Sequence, residues 1–293
     1  MSGKVALVHT DDRILGIHQA IDLLGKPELK DKRVVLKPNF NTADPFPAST
    51  HTDTLVTLIS LIKELGARSI RLAERSGPCD SGEVMRRKNI FELGEKLGFE
   101  VINLDTLNKS DWVHMKPEGS HWSDGFKVPR LYREAESVVL TCCLKTHQYG
   151  GHFTMSLKNA VGIVQRSYMD ELHASPQQRK MIAEINMAYK PDLILLDGIE
   201  AFVMGGPMEG KKVVTNVILA ADDRIALDAA GVALLRLHKT TPEVSRGAVF
   251  EQEQIGRAVE LGLGTKSAEE IQFLTGDRQS QKLAARLREI LLS

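Results

Sequence analysis

Short apolar strands alternating with helices predict an α/β fold: a mostly parallel sheet with helices on both faces, a hairpin insertion and a helical C-terminus. Three observations carry this expectation. RVVLK (33–37), SVVLTCCL (137–144) and LILL (193–196) are apolar runs of the kind that make fully buried strands. Helical stripes lie between such runs. The clearest covers 52–65, where Leu55, Leu58, Ile59 and Ile62 share one face ahead of a terminating Gly66. The interval 112–130 breaks the rhythm with short alternating pieces around Pro117, Gly119 and Gly125, the pattern of an inserted hairpin.

Taken in order, 4–8 reads as the first strand and 11–24 as a helix with Ile14, Ile17, Ile21 and Leu24 at helical spacing. Strand 33–37 is stopped by Pro38, helix 52–65 follows, and 69–73 is the next strand. A helix over 83–97 ends at Gly98 and leads to strand 100–104. After the insertion come strand 137–144, helix 175–189, strands 192–197 and 212–220, and helix 225–237. The rest is helical and charged, with a small helical subdomain expected over 242–264. No internal repeat or linker is visible. The expectation is therefore one α/β domain over 1–293, with an insertion at about 108–133 and a helical region at about 240–293.

Composition excludes several function classes. Lys+Arg and Asp+Glu both number 38, so zero formal net charge gives no global pull toward nucleic acid or an anionic membrane. The three cysteines, Cys79, Cys142 and Cys143, are too few for a four-cysteine iron–sulfur or zinc site, and their low odd number argues against a disulfide scaffold. The start, MSGKVALVHTDD, is not a signal peptide, and no stretch approaches the roughly 20 apolar residues of a membrane span. A cytoplasmic location is expected, with no nucleic acid and no membrane as partner.

In an open parallel sheet, ligands sit beyond the carboxyl ends of the strands. The segments after four strands are polar. RVVLK is followed by Asn39, Asn41, Thr50 and His51, and SIRLA by Glu74, Arg75, Ser76 and Gly77. SVVLTCC runs into LKTHQYGGHFTMSLKNAVGIV, and LILL into Asp197, Glu200, Gly205 and Gly206. Lys37 and Lys145 close apolar strands, where a lysine requires an anionic partner or a depressed pKa. Each residue also has a purely structural reading. Lys37 can snorkel, His51 can cap the helix that begins near Thr52, and Asn159 and Gly162 can serve a helix start. Asp197 before Gly198 can close a turn, and Asp222, Asp223 and Asp228 can serve a helix start. Cys142 and Cys143 point to opposite faces of their strand, so they do not act together. Gly205–Gly206–Pro207 lacks the lysine and hydroxyl of a phosphate-cradling loop. His114, His121 and Trp122 belong to the insertion and could form a lid.

These residues carry a resemblance. VVLKPNFN, STHTDTLVTLISLIKELGA, ERSG, LKTHQYGGHFTMSLKNAVG, PDLILLDGIEAFVMGGP and NVILAADDRIALD, in this order from about 34 to 228, resemble the family called domain of unknown function 362. Its motif positions correspond to Lys37, Pro38, Asn39, His51, Lys145, His147, Lys158, Asn159, Asp197 and Pro207. Many members of that family contain a cysteine-rich ferredoxin-type segment. This chain departs from them, so no iron–sulfur cluster is expected in it, and the resemblance implies at most an iron–sulfur redox partner protein. His147, Gly150, Gly151 and Lys158 are also similar in spacing to the nickel-pincer lactate racemase family, in which histidines and a lysine surround a substrate carboxylate and a tethered nickel cofactor. That similarity implies carboxylate chemistry.

The functional expectation is an enzyme acting on a small anionic metabolite, a carboxylate or phosphate. The expected catalytic residues are Lys145, His147, Lys37 and Lys158. Lys37 and Lys158 hold the anion, and His147 is general base or acid. Asn39, Asn41, His51, Glu74, Ser76, Thr146, Asn159 and Asp197 are the expected substrate-binding set. The alternatives are a metal- or cofactor-binding protein, with His51, His147, His152 and Asp197 offering ligands to a divalent metal, or a non-catalytic subunit that docks on an iron–sulfur redox partner. No HxH or HExxH spacing supports the metal.

Overall fold

The computed structural model describes residues 3–293. The chain opens with β1 (Gly3–His9), α1 (Arg13–Leu24), β2 (Arg33–Lys37), α2 (Thr52–Glu64), β3 (Ser69–Glu74), α3 (Ser81–Arg87), α4 (Ile90–Leu97) and β4 (Glu100–Asn103). The insertion is β5 (Trp112–Met115) and β6 (Phe126–Pro129), an antiparallel pair as expected, followed by the short α5 (Arg130–Arg133). Next come β7 (Ser137–His147), β8 (His152–Thr154), α6 (Ser156–Asn159), α7 (Met169–Ala174) and α8 (Gln178–Ile185). The chain finishes with β9 (Leu193–Gly205), β10 (Gly210–Ala221), α9 (Arg224–Leu237), α10 (Pro242–Ser245), α11 (Glu253–Glu260), β11 (Ile271–Leu274) and α12 (Arg278–Leu292).

Nine strands form one sheet in the order β11-β1-β10-β9-β7-β2-β3-β4, with β8 added to the end of β7. Every pair from β9 to β4 is parallel, and so is β1 with β11. Only β10 and β8 run against the rest. The expected α/β class with a mostly parallel sheet is thus observed. Alternation along β1 shows the two covered faces. Val5 and Leu7 join one core with α8, α9 and α11, while Ala6 and Val8 join another with α1 and α2. Val244, Ile255 and Ala258 from the region read as a helical subdomain share the first core with Met181 and Leu234.

Three expectations need correction in detail. The strand expected over 192–197 continues to Gly205 and forms a hairpin with β10, through an irregular register next to β7. The helix expected over 83–97 is two helices, broken where Asn89 adopts φ 55°. The C-terminal region contains a strand as well as helices: IQFL pairs in parallel with β1 at the sheet edge. Four residues are too few for a periodicity to reveal.

The strand order also fixes a crevice. From β2 the chain moves outward to β3, and from β7 it moves the other way to β9, while β2 and β7 are themselves neighbours. Beyond their carboxyl ends the covering segments part in opposite directions, which is where α/β sheets bind ligands.

Candidate functional site

That crevice holds a small, polar cleft. Lys37 is the last residue of β2 and Glu74 the last of β3. Lys145 and His147 stand two apart on β7, so they share a face. Thr154 lies opposite Lys145 across the β7–β8 ladder. Lys158 and Asn159 come from α6, whose first turn is tied to α9. The Asp228 carboxylate accepts from Ser156 N at 2.8 Å, Ser156 Oγ at 2.6 Å and Leu157 N at 3.0 Å. All of these cleft residues and Asn39, Asn41, Arg75, Gly162 and Pro207 line the same space.

Counting hydrogen bonds separates holders from free groups. An ammonium has three protons to donate. Lys37 Nζ donates to Glu74 Oε1 at 2.7 Å, Pro38 O at 2.8 Å and Asn159 Oδ1 at 3.1 Å, so it is fully engaged. Glu74 also accepts from Phe40 N and Arg75 N, both at 2.9 Å. Arg75 spends its guanidinium on backbone carbonyls: Val164 O at 2.8 Å, Ser76 O at 2.8 Å and Val161 O at 2.7 Å. Lys145 Nζ donates to Asn39 Oδ1 at 2.8 Å and to Ala48 O, which leaves one proton. Lys158 has no hydrogen-bond or ion-pair partner among the described residues, and burial and two nearby cations are what act on its charge. Thr154 Oγ1 is buried without a partner as well. The groups left for a ligand are therefore Lys158, one donor of Lys145, the Thr154 hydroxyl, Asn41 and His147, whose Nδ1 has only a long 3.3 Å contact from Gly151 N.

The electrostatics follow from enclosure. Lys145 is fully buried, and loss of water lowers its pKa. Lys158 is half-buried; burial first, then the Lys145 and Arg75 cations, push it down to about 7. His147 is held well below its ordinary value by burial, then by Lys158 and Lys145, so its imidazole is neutral. Burial drives Lys37 down and Glu74 up. The 2.7 Å contact and the two N–H groups aimed at the carboxylate nevertheless hold that pair ionised.

His147 and Lys158 flank Gly151 closely. A Cβ on Gly151 would stand 2.6 Å from Lys158 Cε and 2.9 Å from His147 Nδ1. A hydrogen at this position lets the two side chains converge. The turn is fixed from behind by Arg179 Nη1 to Gly150 O at 2.8 Å and Gln254 Nε2 to Gly151 O at 2.6 Å.

Other expected residues lie elsewhere. His51 is the N-cap of α2, with Nδ1 accepting from Asp53 N at 3.1 Å, and it borders a neighbouring groove with Arg13 and Phe46. Asp197 pairs with Arg13 at 2.7 Å and accepts from Thr54 Oγ1 at 2.5 Å, outside the cleft lining. Ser76 and Thr146 do not line the cleft; Thr146 Oγ1 turns to Phe202 O and Gly205 O. His152 faces His147 across the ladder without lining the cleft. Among the described residues no three His, Cys, Asp or Glu side chains gather as metal ligands, so the structure does not assemble His147, His152 and Asp197 into one centre. His121 is bound to Glu184 at 2.6 Å, and neither it nor Trp122 lines the cleft. Cys142 and Cys143 are buried free thiols on β7, and Cys79 is exposed.

Sequence reasoning placed Arg75 among the strand-end residues without giving it a role, and passed over Thr154 and Asp228 as members of this assembly. The available signal for Thr154 was that HFT returns along KTH after a Gly-Gly turn, a hairpin that sets threonine against lysine.

Comparison with known proteins places this site in context. The family described as Domain of unknown function (DUF362) matches residues 34–233. The chain belongs to that family. All the cleft residues named above fall inside the matched segment. DUF362 membership was legible from the KPN, KTH, SLKN and GGP elements. The chain is 27% identical over 222 residues to the thylakoid-associated protein sll1697 of Synechocystis, covering 71% of this chain and 64% of that protein. A crystal structure of a protein from Thermotoga maritima aligns with TM-score 0.44 at 14% identity, over 70% of this chain and 53% of that one. The lactate racemase apoprotein from Thermoanaerobacterium thermosaccharolyticum aligns with TM-score 0.46 at 12% identity, over 97% of this chain and 86% of that one. The DUF362 chain thus spans less than two thirds of the Synechocystis and Thermotoga proteins. No helix among the described residues is long and apolar enough to cross a membrane.

Proposed function

We propose that this DUF362 protein is an enzyme acting on a small anionic metabolite, a carboxylate or phosphate, held between Lys145 and Lys158 at the β2–β7 crevice. One observation carries the reading. The cleft encloses Lys37, Lys145, Lys158 and Arg75 around a single carboxylate, Glu74, and Lys37 already engages it. An enclosed excess of positive charge favours an anion, since Lys37, Arg75 and Lys145 are cut off from water, Lys158 partly so, and two of the four retain unused donors. Lys37 serves as the fixed partner of Glu74 and Asn159, and the anion falls to Lys145, Lys158 and Thr154. His147, neutral and beside Lys158, is the proton acceptor near the bound molecule.

The test is thermal stabilisation of the full chain by a panel of small carboxylates and phosphates, compared with neutral isosteres. Stabilisation by anions alone, lost in Lys158→Met and Lys145→Met, is the expected result. Equal response to neutral and anionic compounds would reject the reading.

A further inference from the structure

Lys158 differs from its neighbours in the cleft. Lys37 and Lys145 are anchored by carboxylate, amide and carbonyl oxygens, whereas Lys158 is enclosed with none. It sits on the short α6, whose first turn is clamped by Asp228, so the base of the side chain is fixed while its amine is free. Such an amine can bind an anion, and it can also act as a nucleophile, because no protein oxygen stabilises its protonated form, which has no lone pair to attack with.

We propose that Lys158 is a nucleophile that condenses with the carbonyl carbon of a small 2-oxo acid to form an imine. The proposal rests on the anionic-metabolite reading and narrows it to substrates carrying a carbonyl next to the carboxylate. Three placements support it. Lys158 and His147 both line the cleft, and Lys158 Cε and His147 Nδ1 both come within 3 Å of the Cβ position of Gly151. Lys145 keeps one unused proton and Thr154, its cross-strand neighbour, keeps an unpartnered buried hydroxyl. Together these can receive a carboxylate one bond away from the carbon that Lys158 attacks. Burial beside Lys145 and Arg75 also keeps a substantial fraction of the Lys158 amine uncharged near neutrality, its value lying at about 7.

The step balances without any other reactant. The Lys158 nitrogen forms a bond to the carbonyl carbon, and the carbonyl oxygen takes up the electron pair. His147 accepts a proton from the attacking nitrogen. That proton turns the oxygen into a hydroxyl, and a second proton, passed from the same nitrogen by the same route, lets it leave as water as the nitrogen–carbon double bond forms. Nothing is oxidised or reduced.

The test treats the full chain with pyruvate, glyoxylate or 2-oxoglutarate, with and without borohydride, and reads intact mass and peptide maps. Thermal stabilisation by the same compounds and by propionate is measured in parallel. The expected result is one borohydride-dependent adduct per chain on Lys158, forming at least tenfold faster than on any other lysine, and absent in Lys158→Arg and Lys158→Met. Because Lys158 has no partner to orphan and its buried charge is a cost to the fold, Lys158→Met melts no lower than the wild type. Stabilisation by both propionate and the 2-oxo acids with no Lys158 adduct overturns the imine while leaving the anion reading intact. Adducts scattered over surface lysines without preference for Lys158 overturn it too. Neither stabilisation nor adduct removes both.

Discussion

Lys37 and Glu74 form an ion pair of 2.7 Å whose side chains are 1% and 2% exposed, at the ends of two adjacent parallel strands. The pair knits the floor of the cleft, because Glu74 also accepts from Phe40 N and Lys37 reaches Asn159. Gly162 lies against it, and a Cβ there would stand 2.7 Å from Lys37 Nζ. Removing one member strands the other charge in a dry site. Lys37→Met and Glu74→Gln are each expected to cost about 3–5 kcal/mol of unfolding free energy, while the double variant loses clearly less than the sum. Urea unfolding of the four proteins of the cycle measures this, and additive losses would contradict it.

Gly151→Ala separates site from scaffold. The methyl would press on Lys158 Cε and His147 Nδ1, both movable side-chain atoms, while the backbone φ of Gly151 is one that alanine tolerates. Stability is expected to fall by about 1 kcal/mol or less, as for a modest overpacking. Anion binding is expected to weaken at least tenfold, since two of its groups are displaced. A melting curve and a titration with the best anion of the panel check the two halves.

The pH dependence has opposite signs for binding and for attack. Lys158, pushed down to about 7, carries a charge below that pH and loses it above. Affinity for an unreactive carboxylate should therefore fall as pH rises through 7, by up to about tenfold per unit. Trapping of a 2-oxo acid should rise over the same interval. Native stability moves with attack: from about 7 to the ordinary lysine value the unfolded chain binds the extra proton, so stability increases with pH. Lys158→Met should lack this slope, and parallel denaturation curves of the two proteins from pH 6 to pH 10 would show whether it does.

Asp228 positions α6 from a distance of 72 residues in the sequence. Asp228→Ala removes the acceptor for two backbone N–H groups and one hydroxyl, and is expected to cost about 2–3 kcal/mol. The Lys158 adduct should slow even in the folded fraction, because the residue loses its fixed base. Circular dichroism melts and adduct kinetics at low temperature distinguish the two effects.

The parallel strands and the crevice could be read from the sequence because RVVLK and SVVLTCC are apolar enough to be buried and end in lysine. Lys37, Asn39, Asn41, Glu74, Lys145, His147, Lys158 and Asn159 do meet in one cleft. His51 and Asp197 do not, for a reason outside any motif. His51 accepts from Asp53 N, and Asp197 is held by Thr54 and Arg13, away from the residues that line the cleft. Nor could sequence distinguish the engaged Lys37 from the free Lys158. Both follow apolar residues, and only the fold shows which one has an acid within reach.

The position of β1 bears on how the family's boundaries relate to a unit that can be produced alone. The DUF362 match begins at residue 34 and ends at 233. Yet β1, at Gly3–His9, lies between β10 and β11, and Gln254 braces the Gly151 turn. Expressing only the homologous segment would leave β10 with a bare row of amide and carbonyl groups, an invitation to pair with another molecule. It would also leave the turn beside Lys158 unbraced. The recognisable family signature is shorter than the sheet it contributes to, so fragments cut at its limits should aggregate where the full chain does not.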